Sequence, residues 1–185
     1  MYRKVEQINH LEKGNSKGGN QNVKKKIKTM KNNFFAVACI ILLFASCSDN
    51  SIYRQIKPIA VEGWHKDSIM QFVVPVVDTI SEFDIYIHVR NTNAYPLQNL
   101  YLFLKTTSPR GISVTDTINL LVADDYGRWT GKSISRIWEN KFLYLENIKF
   151  ANSGNYIFDI QQGMRYDILN GISDAGIEIK YKDLK

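Results

Sequence analysis

The sequence predicts an all-β fold, an antiparallel β-sandwich of the immunoglobulin-like or jelly-roll-like kind. Four runs of alternating apolar and polar residues follow residue 82, and clusters of Asn, Asp, Gly and Pro separate them. Alternation with a period of two is typical of a strand that buries one face. A helical pattern occurs over residues 164–170, where Gly171 would end the helix. Many strands with little helix favour two sheets packed face to face.

The length and composition agree with one globular domain. The chain has 185 residues, of which 44% are hydrophobic and 23% are charged. These fractions are ordinary for a globular protein, so a wholly disordered chain and a multi-span membrane protein are excluded. Two cysteines, Cys39 and Cys47, are too few for a disulfide-rich scaffold.

The first two predicted strands are residues 70–77 and residues 83–90. Pro75 lies within the first run and predicts an edge strand or a bulge, because proline cannot donate a ladder hydrogen bond. The second run alternates regularly, and His88 occupies one of its polar positions. We therefore expect His88 on the polar face of a strand, in a surface or packing role.

Three further strands are predicted at residues 100–105, 156–161 and 177–182. Tyr156 follows a glycine-containing turn and resembles the tyrosine corner of immunoglobulin-like sandwiches, in which the hydroxyl bonds to nearby backbone. Phe158 stands where those domains usually carry a cysteine. The position of this motif is consistent with the sandwich prediction.

The net charge of +6 is concentrated at the N-terminal end of the chain. Residues 1–46 carry nine basic and two acidic residues, a net charge of +7. Residues 47–185 carry 15 basic and 16 acidic residues, a net charge of −1. Because the basic residues lie outside the predicted domain, the charge does not indicate nucleic-acid binding.

The apolar segment of residues 34–45 follows several lysines and ends at small residues. A membrane-spanning helix needs about 20 residues, so this shorter run fits the hydrophobic region of a signal peptide. Ala45, Ser46 and Cys47 then resemble the bacterial lipobox, although Phe44 replaces the usual leucine. The resemblance implies cleavage between Ser46 and Cys47, with diacylglycerol and an N-acyl chain on Cys47. An uncleaved buried helix that ends in cysteine is the alternative.

These observations divide the chain into four parts. Residues 1–29 are long and polar for the start of a signal peptide, so we expect a misassigned start or an unstructured extension, with Met30 as the compact start. Residues 30–46 form the predicted lipoprotein signal peptide, which removes Cys39. Residues 47–55 are predicted as the lipidated cysteine and a tether, and residues 56–185 as a single β-sandwich domain.

The predicted domain lacks the sequence motifs of catalytic and metal sites. Its two histidines, His65 and His88, have no partner at the spacing of a zinc motif. Asp124 and Asp125 are adjacent, and the Gly127 that follows favours a solvated turn over a cation or acid–base site. We therefore expect no enzyme activity, no metal and no cofactor other than the covalent lipid.

Three aromatic residues are candidates for a binding surface: Trp64, Tyr95 and Trp129. An exposed aromatic ring can stack on a sugar or pack against a partner. Trp129 lies between two turn glycines, and packing in the core is the favoured interpretation for it.

Three tripeptides have the form Asp, then Ser or Thr, then an aliphatic residue. They centre on Ser68, Thr79 and Thr117. The form resembles the O-glycosylation sites of exported proteins of Bacteroidota, and a chance match within turn and strand sequences is the alternative.

The order of motifs in the mature chain is similar to that of a known family. The motifs are Arg90-Asn91, Tyr95-Pro96, Asn99-Leu100, Asp116-Thr117, Gly127-x-Trp129-x-Gly131, Gly154-x-Tyr156, Gln162-x-Met164-Arg165 and Leu169-x-Gly171-Ile172-x-Asp174-x-Gly176. Together with the lipobox, this order resembles the gliding motility lipoprotein GldH family of Bacteroidota over residues 47–182. The resemblance implies an envelope lipoprotein, a non-enzymatic accessory of the gliding and secretion machinery. It carries over no catalytic residue, and only Cys47 receives a defined role.

Two hypotheses from different classes follow. The first is a lipid-anchored scaffold of the motility or secretion complex, located at the outer membrane, with other envelope proteins of that complex as partners. The second is a glycan-binding surface lipoprotein that uses exposed aromatic side chains.

Overall fold

A computed structural model describes residues 50–182 of the chain. Within that range the protein is built from eleven β-strands and contains no helix. The prediction of an all-β fold is therefore confirmed. The predicted helix over residues 164–170 is wrong, because these residues form a turn and the two-residue strand Ile168–Leu169.

The strands have the following bounds: β1 Ser51–Pro58, β2 Trp64–His65, β3 Met70–Val76, β4 Phe83–Thr92, β5 Asn99–Thr107, β6 Ser113–Leu121, β7 Lys132–Ile134, β8 Ile137–Ile148, β9 Gly154–Gln162, β10 Ile168–Leu169 and β11 Ile172–Tyr181. They form a five-stranded sheet in the order β1-β11-β4-β8-β7 and a four-stranded sheet in the order β3-β9-β5-β6. The short strands β10 and β2 pair separately. All of these pairings are antiparallel.

The two large sheets bury their facing sides in one hydrophobic core. Alternate residues of β4, such as Ile85 and Ile87, and of β5, such as Leu102 and Leu104, are almost fully buried in the same cluster. Alternate side chains of a strand point to opposite faces, so each sheet contributes one face to this core. The arrangement is an antiparallel sandwich, as the alternation predicts.

The predicted strands correspond to β3, β4, β5, β9 and β11. The strand with Pro75 lies at an edge of the four-stranded sheet, which confirms that expectation. The prediction of a tether is wrong for residues 51–55. These residues belong to β1, which pairs with β11. Strand β6 is not among the predicted strands, because Asp116 interrupts the apolar alternation of Val114, Ile118 and Leu120.

The turn before β9 contains the predicted tyrosine contact. The backbone amide of Asn152 donates a hydrogen bond of 3.2 Å to the hydroxyl of Tyr156, four residues later. The hydroxyl therefore bonds to nearby backbone, as an acceptor, and the ring is buried beside Phe150. This contact fixes the turn against the core.

Candidate functional site

The outer face of the five-stranded sheet carries a connected group of charged side chains. We call it the charged cluster, and its members are Arg54 on β1, His88 and Arg90 on β4, Glu139 and Lys141 on β8, and Glu178 on β11. Four neighbouring strands contribute to it. Pairing places His88 on β4 between Gly176 on β11 and Lys141 on β8. The cluster thus depends on the register of the whole sheet.

His88 and Glu178 form the centre of the charged cluster. The Nε2 atom of His88 lies 2.6 Å from Oε2 of Glu178, and each side chain is only 2% exposed. Lys141 approaches the same carboxylate at 2.8 Å, and the hydroxyl of Ser51 donates to its other oxygen at 2.7 Å. The carboxylate is therefore buried but surrounded by donors.

These donors determine the charge state of Glu178. Burial disfavours the charged form, but hydrogen bonds from Lys141, Ser51 and His88 outweigh it and lower the pKa of Glu178 to about 2. Glu178 is therefore ionised at neutral pH, and its contact with the partly exposed Lys141 is an ion pair.

The imidazole of His88 is neutral at pH 7. Burial lowers the pKa of His88 below its ordinary value, and Glu178 opposes this effect only in part. The short contact with a carboxylate places the proton of the neutral ring on Nε2. The other nitrogen, Nδ1, has no hydrogen-bond partner in the described part of the chain and lies 3.6 Å from Oε1 of Glu139.

Two arginines hold Glu139 at the other side of His88. Arg90 donates to Oε2 of Glu139 from Nε at 3.2 Å and from Nη2 at 3.0 Å. Arg54 reaches Oε1 at 3.5 Å, although it lies three strands away in the sheet. Burial opposes ionisation of Glu139, but Arg90 and the other nearby charges lower its pKa. The arginine contacts link the edge strand β1 to β8 across the sheet face.

The cluster does not have the connectivity of a serine triad. A serine triad needs the imidazole between the hydroxyl and the carboxylate, so that it can accept the hydroxyl proton. Here the carboxylate of Glu178 lies between the hydroxyl of Ser51 and the imidazole of His88. No group of three metal-binding side chains is found within residues 50–182. The arrangement can stiffen the sheet and present a charged surface.

The structure places the three predicted aromatic residues in the packing of the sandwich. Trp64 and Tyr95 are only 1% and 3% exposed. The prediction that they form part of a binding surface is therefore wrong, because such a surface needs exposed rings. Their polar atoms are bonded internally, from Trp64 Nε1 to the carbonyl of Ser68 and from the Tyr95 hydroxyl to the carbonyl of Asn99.

Trp129 is half-buried and packs partly against the core. Its ring centroid lies 6.4 Å from that of Tyr95 and 5.9 Å from that of Trp138. Its Nε1 donates to Oδ1 of Asn93 at 3.0 Å. Trp64, Tyr95 and Trp129 therefore do not form a shared exposed platform.

Asp124 organises a turn. Its Oδ1 accepts hydrogen bonds from the amides of Tyr126 and Arg128, and Oδ2 accepts from the Arg128 side chain. The bond from the Arg128 amide is the main reason that the pKa of Asp124 is lowered. Gly127 has a φ of 75°, which this turn requires. The expected solvated turn is confirmed.

The three predicted glycosylation residues lie at the surface. Ser68 is exposed in the turn after β2, and Thr79 is half-buried in the turn after β3. Thr117 is exposed in the middle of the edge strand β6. The predicted lipid-attachment and cleavage residues, Cys47 and Ser46, lie outside the described residues. Over the range that is described, no helix is long and apolar enough to cross a membrane.

Comparison with known proteins assigns the family. The family model described as GldH lipoprotein matches residues 51–179. The chain belongs to the GldH lipoprotein family. The match covers nearly all of the sandwich, from β1 to β11, so the resemblance seen in the motif order is confirmed.

Two curated members of the GldH family cover most of the chain. The gliding motility lipoprotein GldH homolog of Christiangramia forsetii is 35% identical over 150 residues, which are 77% of this chain and 91% of that protein. Gliding motility lipoprotein GldH of Flavobacterium johnsoniae is 32% identical over 161 residues, which are 83% of this chain and 99% of that protein. Both relatives carry the gliding motility and lipoprotein description in their names.

Similarity to solved structures is weak. Structures of the infectious bursal disease virus VP2 subviral particle and of the Gx strain of that virus match with TM-scores of 0.31 and 0.32, both at 15% identity. The matches cover 69% and 71% of this chain, and 29% and 34% of the viral chains. These TM-scores carry no argument about the fold or function of the GldH family.

Proposed function

We propose that this GldH-family chain is a lipid-anchored, non-enzymatic scaffold of the gliding motility and secretion machinery. The observation that carries the proposal is the family match over residues 51–179, whose curated relatives are named gliding motility lipoproteins. The partners are other envelope proteins of that machinery, and the location is the outer membrane. The proposal assigns the protein a role in assembly or stability of the complex.

The anchor is the lipid on Cys47. The described domain begins at Asn50, and the first strand starts at Ser51. Three residues of extended chain span roughly 10 Å, so a lipid on Cys47 keeps this end of the sandwich close to the membrane. Ile80 lines the same surface hollow as Asn50 and is 83% exposed. An exposed apolar side chain at this end is consistent with contact with a lipid surface.

The scaffold role is supported by how the polar groups are used. The buried carboxylate of Glu178 lies between the Ser51 hydroxyl and the His88 imidazole, so the ring is not placed to take the hydroxyl proton. The charged side chains instead connect four strands of one sheet. This is the pattern of a rigid module that presents a surface, and an enzyme would need a group free to react.

The decisive experiment is gene deletion combined with loss of the lipid. Deletion is expected to abolish surface spreading and to reduce protein secretion, and wild-type expression restores both. Cys47→Ala is expected to leave the membrane fraction and to fail in complementation. Cys39→Ala is the matched control, because that cysteine is removed with the signal peptide, and it should behave as wild type. Normal spreading and secretion in the deletion strain would overturn the proposal.

We further propose that Ser68, Thr79 and Thr117 carry O-linked glycans. All three are reachable at the surface in whole or in part. The intact mass of protein purified from its native host should exceed the mass of polypeptide plus lipid, and it should fall stepwise in Ser68→Ala, Thr79→Ala and Thr117→Ala. A mass that equals polypeptide plus lipid would contradict this proposal alone.

A further inference from the structure

One nitrogen of the buried His88 ring faces an acceptor although it has no proton to donate. Nε2 carries the proton of the neutral ring and bonds to Glu178, so Nδ1 has only a lone pair. Nδ1 has no hydrogen-bond partner in residues 50–182, and Oε1 of Glu139 lies 3.6 Å from it. A buried polar atom without a partner is unusual in a folded protein. A proton on Nδ1 would convert this contact between two acceptors into a hydrogen bond.

Two groups compete for Oε1 of Glu139. The guanidinium of Arg54 lies 3.5 Å from this oxygen, which is almost the same distance as that of Nδ1 of His88. Both distances exceed the roughly 2.7–3.2 Å of a good hydrogen bond from nitrogen to oxygen. The other oxygen, Oε2, is fixed by two bonds from Arg90. Oε1 is therefore the acceptor that a new proton on His88 would recruit.

The charge of His88 is coupled to that of Arg54. Burial of the ring is the main reason that the pKa of His88 lies below its ordinary value of 6.5. Glu178 opposes this effect, and the positive charge of Arg54 adds to it. Coupling between two sites is reciprocal. Because Arg54 disfavours a proton on His88, a proton on His88 must equally disfavour Arg54 in its present position.

We propose that His88 and Glu139 form an acid-sensitive switch, in which a proton taken up at Nδ1 bonds the ring to Oε1 of Glu139 and displaces the Arg54 side chain. The proton comes from solvent, and Nε2 keeps its own proton and its bond to Glu178. The cluster gains one positive charge. Both glutamates stay ionised while this happens, because their pKa values lie below the ordinary value of 4.5.

Charged groups from all four strands of the cluster act on this proton. The cations that oppose it are Arg54 on β1, Arg90 on β4, Lys141 on β8 and Lys180 on β11, and the anions that favour it are Glu139 on β8 and Glu178 on β11. The two carboxylates meet the two ring nitrogens, one at each. The protonated ring therefore has an acceptor for both of its N–H groups, which a histidine switch requires.

The switch changes how the edge strand β1 is held. At neutral pH, Arg54 links β1 to Glu139 on β8 across the sheet face. After its displacement, β1 keeps its pairing with β11 and the bond from Ser51 to Glu178. Segments with fewer contacts open more readily, so β1 becomes the part of the sheet that acid loosens. This response goes beyond the proposed scaffold role and does not depend on the lipid anchor.

The effect on stability has the same sign. The folded pKa of His88 is lowered, so the unfolded chain binds this proton more tightly than the folded chain does. The contribution of the neutral ring is therefore present above pH 6.5 and is lost as the pH falls towards the folded pKa. Acid thus weakens the fold at the same protonation step that displaces Arg54.

The test is an NMR titration of the purified full chain, labelled with nitrogen-15, in detergent micelles from about pH 8 to about pH 4. The ring nitrogens of His88 report its protonation, and the side-chain Nε–H signal of Arg54 reports whether that group is held. His88→Gln identifies the His88 signals among the three histidines. We expect the Nε2–H tautomer at pH 7, protonation with a midpoint below 6.5, and a change at Arg54 with the same midpoint.

Two substitutions should move the His88 midpoint in opposite directions. Arg54→Gln removes a cation that opposes the proton and should raise the midpoint, whereas Glu139→Gln removes the carboxylate that accepts it and should lower the midpoint. Each shift should be roughly 0.5 pH unit. Lys57→Gln is the matched control and should leave the midpoint unchanged. Lys57 is a cation of the same strand, but it contacts the Phe72 ring and the carbonyl of Gln71.

Three results would overturn the switch. The first is an Arg54 signal that stays constant while His88 titrates, because the proton is then accommodated without displacement. The second is a midpoint that is the same in wild type, Arg54→Gln and Glu139→Gln. The third is a ring that takes up no proton before Glu139 does. The first and third results come from the wild-type chain, so the test does not depend on the folding of a variant.

Discussion

Oε2 of Glu178 lies 2.6 Å from Nε2 of His88 on the outer face of the five-stranded sheet, and both side chains are 2% exposed. This buried pair is separated by 90 residues in sequence and joins two neighbouring strands, β11 and β4. Lys141 on β8 completes it with an ion pair of 2.8 Å. Side chains of three strands, β4, β8 and β11, therefore meet at the carboxylate of Glu178.

Replacing that carboxylate with an amide is expected to destabilise the fold. Glu178→Gln leaves the Lys141 ammonium and the His88 ring without their charged partner, and such losses cost about 2–4 kcal/mol of unfolding free energy. Chemical denaturation measures the change. Glu82→Gln is the control, because Glu82 forms an ion pair of 2.8 Å with Lys182 at the surface, and it should change little. Equal effects of the two substitutions would contradict the role of burial.

The same carboxylate predicts a dependence of stability on acid pH. The pKa of Glu178 is about 2 in the folded protein, below the ordinary value of 4.5. A lowered folded pKa stabilises the protein at pH values above 4.5, and this contribution is lost as the pH falls from about 4.5 to 2. The difference in unfolding free energy between wild type and Glu178→Gln should therefore shrink over this range. A constant difference from pH 7 to pH 3 would refute the assignment.

Two glycines with similar positive φ angles should respond very differently to substitution. Gly171 has a φ of 87°, and a Cβ there would lie 2.1 Å from the amide nitrogen of Tyr95. Gly111 has a φ of 80° and no atom within 4 Å of that position. Gly111→Ala should lower the unfolding free energy by about 1–2 kcal/mol, which is the strain of a left-handed backbone conformation at alanine. Gly171→Ala adds a clash with backbone and should prevent folding or lower the melting temperature much further, as thermal unfolding followed by circular dichroism would show.

The aromatic residues permit a test of packing against binding. Trp64 is buried in the core, so Trp64→Ala should cost about 3–5 kcal/mol of unfolding free energy. Trp129 is half-buried, so Trp129→Ala should cost less and leave the fold intact. Binding to a glycan array, measured for wild type and Trp129→Ala, then tests the glycan-binding alternative. Array binding that Trp129→Ala abolishes would favour that alternative over the scaffold.

Periodicity predicted the strands that bury one face and failed for those that do not. Ile85 and Ile87 alternate with polar neighbours because β4 lies in the middle of a sheet, and the pattern is readable without a structure. Strand β6 lies at an edge where the opposite sheet covers little of it, so Val114 and Asp116 are both exposed. Val114, Ile118 and Leu120 share one face of this strand, but Asp116 interrupts them, so the alternation in its sequence is incomplete.

The charged cluster shows a second limit of prediction from the local sequence pattern. Alternation places His88 on the polar face of β4, which is correct, and a polar face suggests solvent. The side chain is nevertheless buried, because Arg54, Lys141 and Glu178 converge on it from three other strands. Their convergence requires the strand order β1-β11-β4-β8, which places residues far apart in sequence in one row.

Local sequence alone determined the strand-rich class of this protein and the family to which the motif order points. These properties depend on short-range periodicity and on motifs that are read in chain order. The tertiary structure decided which strands lie at edges, that Trp64 and Tyr95 are buried, and that Glu178 and His88 meet. Each of these depends on strand pairing between distant segments. Contacts of that range are set by how the whole chain packs, and no local pattern encodes them.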